Sequence, residues 1–153
     1  MQSVPRWPRW PRRLGLLGLA PQIACLLIAF FGPEVWRMAA QNCAAIYAAL
    51  IFTFLGGTWW GIAAAAPAAE RRGGLAWVWI AAIVPSLIAT AGLTSQLFGW
   101  LPIEALLVML GASLLMALGI DARLGSLAPR WWLSLRAPLS IGLGALTIAT
   151  ALV

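Results

Sequence analysis

Five long apolar stretches divide the sequence, each bounded by a short segment rich in proline, glycine or arginine. Leu14 to Phe31 carries no charge and is just long enough to cross a bilayer, which takes about 20 residues of helix. It ends at Gly32-Pro33-Glu34, and Arg37 closes the short loop that follows. From Met38 to Ala69 no charge appears, more chain than one crossing needs. Gln41 and Asn42 suit an interface, so the pattern places the second span at 42–65, ended by Pro67. Glu70-Arg71-Arg72-Gly73-Gly74 reads as a tight turn before a third span at 75–94, with Pro85 in its middle. An outer loop with Gly99 and Trp100 leads to a fourth span at 103–120. There Pro102 and Glu104 fit the first turn, where proline costs no hydrogen bond and a carboxylate complements the helix dipole. Residues 121–136 form the longest loop, and the fifth span covers 137–153 with Pro138 near its start. The expected fold is therefore all-α: an integral membrane bundle of five transmembrane helices.

Residues 1–13, MQSVPRWPRWPRR, precede the bundle as a basic, Trp/Pro-rich cytoplasmic arm. Prolines at 5, 8 and 11 argue for a polyproline-like arm rather than a regular helix. Arginines interleaved with Trp7 and Trp10 suit anionic lipid headgroups, and the same charges act as a retention signal. The stretch after Arg12-Arg13 is signal-peptide-like, but four further spans follow it, so it is read as a retained first helix.

Composition narrows the class. Hydrophobic residues make up 63% of the chain and charged residues 9%, whereas soluble domains carry about 25% charge. The net charge of +6 rests on ten arginines, with no lysine and no histidine. Nine of those arginines fall in the arm, the 70–74 turn and the 121–136 loop, against Arg37 alone on the other side. The positive-inside rule then puts the N-terminus inside and the C-terminus outside. Spread among short loops, these charges serve orientation, and no nucleic-acid partner is expected. Without histidine, imidazole bases and His-ligated metals are excluded, and two cysteines cannot build a thiolate zinc site. No cofactor and no enzymatic activity are expected. Most of the ten tryptophans, Trp59, Trp60 and Trp132 among them, read as interfacial anchors.

No ionisable residue falls inside an expected span. Glu104 and Asp121 stand at opposite ends of the fourth, about 25 Å apart at the helical rise, too far to act as a pair. Every span does place a polar or small residue near mid-depth: Gln22, Thr53 with Gly56, Pro85-Ser86, Gly111 with Ser113, and Gly142 with Gly144. Two readings stay open, a mid-membrane binding site and helix-packing contacts. Gly57 and Gly61 form a GxxxG on the second span. Cys25 and Cys43 are expected to be neighbours in the outer half of a hairpin between spans one and two.

The run Tyr47-Ala48-Ala49, then Phe54-Leu55-Gly56-Gly57, then Trp60-Gly61 resembles the signature of domain of unknown function 3429, the transmembrane protein 69-like family. Pro21, Pro85-Ser86-Leu87 and Asp121-Ala122-Arg123 fall in the order expected for that family, as do Trp132, Leu135-Arg136 and Pro138. The resemblance implies a small multi-pass membrane protein, bacterial or mitochondrial, with no established activity. The chain departs from the pattern at Trp59, where relatives often carry a polar or basic residue.

The residues singled out for helix packing or binding are Gln22, Tyr47, Phe54, Gly56, Gly57, Trp60, Gly61, Pro85 and Ser86. The leading expectation is a non-enzymatic scaffold or assembly subunit of the bacterial inner membrane, packing through the second span. Its partners would be lipid, other membrane proteins or further copies of itself. The alternatives are an oligomeric channel or carrier for a small or apolar solute, and a mitochondrial inner-membrane location.

Overall fold

The computed structural model describes residues 9–66 and 75–153. Among the described residues six α-helices run in chain order: α1 (Arg9–Leu17), α2 (Ala20–Phe31), α3 (Glu34–Ala65), α4 (Ala76–Leu97), α5 (Ile103–Leu124) and α6 (Trp132–Ala151). No strand occurs among the described residues. Among the described residues five helical units are long and apolar enough to cross a membrane, the first being α1 and α2 together over Trp10–Phe31.

The elements outrun the expected spans wherever polar residues were read as boundaries. α1 starts at Arg9 and takes Pro11 into its first turn, where the missing N–H has no helical partner to lose. That part of the arm is helical, while residues 1–8 lie outside the described residues. α3 begins at Glu34 rather than near residue 42, with Glu34 in its first turn and paired to Arg37 at 3.3 Å. Gln41 and Asn42 do not stop it, because each finds a partner within the bundle. Gln41 Nε2 donates to the Thr150 carbonyl at the end of α6, at 3.4 Å. Asn42 Nδ2 donates to the Met38 carbonyl at 2.8 Å, and its Oδ1 accepts from Gln96 Nε2 at 3.4 Å. The loop expected at 121–136 shrinks from both ends, α5 continuing to Leu124 and α6 starting at Trp132.

α3 is the axis of the bundle and packs against α2, α4, α5 and α6. Its buried face repeats at helical spacing through Gln41, Ala44, Ala45, Ala48, Phe52, Leu55, Trp59 and Ala63. The opposite face, Ile46, Leu50 and Phe54, is exposed, as a lipid-facing helix requires. Small residues let the backbones approach. A methyl group on Gly56 would collide with the Ala82 carbonyl oxygen of α4 beside Pro85. Gly111 of α5 and Gly144 of α6 face each other so closely that a Cβ on either would lie 2.8–2.9 Å from the other's carbonyl oxygen.

Candidate functional site

The face of α5 that carries Leu110, Leu114 and Ala117 into the core continues for one more turn and buries Asp121. This corrects the expectation that no ionisable residue lies within a span. It also removes Asp121 and Arg136 from the loop. The Asp121 side chain is fully shielded and is held from three directions. Trp59 Nε1 of α3 donates to Oδ1 at 2.9 Å, and Trp132 Nε1 of α6 donates to the same oxygen at 3.0 Å. Arg136, one turn into α6, sits with Nε 3.4 Å from Oδ2. Its Nη2 donates to Ser140 Oγ at 2.9 Å, and its guanidinium carbon lies 6.0 Å from the centre of the Trp132 ring.

Three helices thus meet on one carboxylate. Burying a lone charge would be costly; here the ion pair and the two indole donors satisfy it. Trp59 is therefore corrected from an interfacial anchor to a hydrogen-bond donor of the interior, and the half-buried Trp132 donates beside it. Trp59 is 2% exposed. Trp60 keeps an interfacial character: it is half-exposed and meets Trp79 edge-on, centroids 4.7 Å apart.

Beside this cluster lies a cavity of about 390 Å³ between α1, α3 and α6. Its walls are apolar, with Leu14 from α1, Phe54 from α3 and Leu139 from α6, while Arg136, Ser140 and Trp132 supply one polar end. The helix break that shapes it occurs at Gly18-Leu19, just before Pro21 enters the first turn of α2. Tyr47 Oη donates to the Gly18 carbonyl at 2.5 Å, tying the break to α3.

The remaining residues of interest disperse. Gln22 is buried and donates through Nε2 to Thr147 Oγ1 at 3.1 Å, while its Oε1 has no partner among the described residues. Gly56 and Pro85 pack together inside. Gly57 and Gly61 are exposed on α3, and a Cβ at either would meet nothing within 4 Å. Ser86 is exposed. Thr53 and Ser113 donate to carbonyls of their own helices, Leu50 and Met109, at 2.8 Å each. The mid-depth polar residues therefore lie apart and do not converge on one site. Cys25 and Cys43 are free thiols within electrostatic reach of each other. Among the described residues no three carboxylate or thiol groups come together to hold a metal ion.

The signal for the cluster was present in the periodicity. Asp121 stands eleven residues after Leu110 and Arg136 four before Ser140, both in phase with the buried faces of their helices. In sequence alone, a charge at the end of an apolar run has the same appearance as a helix boundary.

A family model described as "Protein of unknown function (DUF3429)" matches residues 7–152. No curated protein and no solved structure matches the chain.

Proposed function

The chain belongs to the DUF3429 family, and for it we propose the role of a non-enzymatic scaffold or assembly subunit in a bacterial inner membrane, associating through the outer face of α3. One observation carries this reading: Gly57 and Gly61 sit one turn apart on an exposed face, and a Cβ at either would meet nothing within 4 Å among the described residues. Each glycine inside a helix costs about 1 kcal/mol relative to alanine. Among the described residues nothing offsets that cost, whereas a second transmembrane helix could approach at this dent between Phe54 and Ala65. The occupant that fits is the same face of a second copy, since paired GxxxG faces let two backbones come close. The arginine distribution supports an inside N-terminus and an outside C-terminus.

The test is the oligomeric state in mild detergent and in native membranes of wild type, Gly57→Leu and Gly61→Leu. Wild type is expected to associate and both variants to remain folded but monomeric. Association that survives both substitutions would exclude this face. Fusion of a periplasm-dependent reporter to either terminus checks the orientation, with activity expected only at the C-terminus.

A further inference from the structure

We propose that the groove between α1, α3 and α6 is a binding site for one anionic phospholipid, with its phosphate at Arg136 and one acyl chain along the apolar walls. A cavity that faced only lipid tails would need no polar lining. This one is apolar along Leu14, Phe54 and Leu143 and ends on a guanidinium. Arg136 commits Nε to Asp121 and Nη2 to Ser140, and no hydrogen bond involves its Nη1 among the described residues. Its side chain is 11% exposed, so the group is reachable while being held in place. The Asp121–Arg136 pair is neutral as a unit, and the positive field at the mouth comes from α1. Arg12 and Arg13 are exposed on α1 and stand next in sequence to Pro11 and Leu14, both of which line the groove. A phosphate diester answers this arrangement, because guanidinium N–H groups match its oxygens, and the net positive charge of α1 nearby favours an anionic headgroup over a zwitterionic one.

Size selects one chain rather than a whole lipid. About 390 Å³ is at the lower end of ligand cavities, which run from roughly 300 to 1,000 Å³. The depth is also appropriate. Arg136 lies one turn from the start of α6, where a headgroup phosphate would sit, and the groove runs from there to Leu19 and Leu143 towards mid-membrane. The α1–α2 break at Gly18, fixed by Tyr47, turns α1 over the groove as its outer wall. Phe54 borders both this groove and the Gly57–Gly61 face, but Arg136 belongs to the groove alone, so either proposal can fail alone.

The experiment is native mass spectrometry of the delipidated full chain titrated with dioleoyl phosphatidylglycerol or dioleoyl phosphatidylcholine, which share their acyl chains. Wild type is expected to bind one phosphatidylglycerol about tenfold more tightly than phosphatidylcholine, the discrimination expected of one or two arginines at a headgroup. Arg136→Gln should bring the two lipids to parity. Because that change also unpairs Asp121, a second variant, Thr58→Trp, fills the groove from α3 without touching the charge cluster. It should abolish tight binding of either lipid while the unfolding temperature stays at the wild-type value. Equal affinity for the two lipids in wild type would overturn the proposal, as would undiminished binding by folded Thr58→Trp. A folded Arg136→Gln that kept its preference for phosphatidylglycerol would do the same.

Discussion

Asp121→Asn keeps the size of the side chain and removes its charge. In the native chain the carboxylate is fully buried, accepts two indole N–H bonds at 2.9 and 3.0 Å, and faces Arg136 at 3.4 Å. With asparagine in place, the guanidinium stays largely buried without a counter-ion and the two indoles donate to a neutral oxygen. Removing one member of a buried ion pair costs about 3–5 kcal/mol. For a chain of this size each kcal/mol lowers the unfolding temperature by roughly 2–4 °C, so the loss should be roughly 6–20 °C. Replacing both partners by apolar residues, Asp121→Leu with Arg136→Met, leaves no stranded charge and should recover most of it. Thermal unfolding in mild detergent, followed by intrinsic fluorescence, measures both, and Trp59 and Trp132 report on the cluster directly. Unfolding of Asp121→Asn within about 2 °C of wild type would refute the coupling. A double variant that loses as much as the sum of the two single ones would refute it equally, because then the charges act independently.

The two adjacent glycines of the family signature should respond oppositely to one methyl group. Gly56→Ala meets the Ala82 carbonyl and should cost about 1–3 kcal/mol, while Gly57→Ala meets nothing and should gain up to about 1 kcal/mol in the monomer, both read by thermal unfolding. Tyr47→Phe removes the bond to the Gly18 carbonyl and should cost about 0.5–1.5 kcal/mol. Faster amide exchange confined to the α1–α2 break would locate the effect, and unchanged exchange there would count against the tie. Finally, a short thiol-specific crosslinker should join Cys25 to Cys43 within one chain in native membranes. Failure to crosslink would contradict their adjacency.

The hydrophobic pattern by itself determined the helical class and the five crossing units, because each needs its own uninterrupted apolar run to satisfy its backbone in lipid. It also carried the family through Phe54-Leu55-Gly56-Gly57 and Trp60-Gly61. Local sequence could not assign these residues to sides. Gly56 and Gly57 are chemically identical neighbours, yet rotation by one residue puts the first against Ala82 and leaves the second exposed. Nor could it show that Gln41 and Asn42, polar enough to suggest an interface, are satisfied by Thr150 and Gln96 from helices more than fifty residues away. The same holds at the buried carboxylate. A charge at the end of an apolar run reads as a boundary until another chain segment brings it a counter-charge and donors. Trp59 lies 62 residues from Asp121 in sequence, and only the packing of α3 against α5 and α6 brings them within hydrogen-bonding distance. Whether a polar group ends a helix or enters the core depends on what waits for it there, and that was decided by tertiary structure.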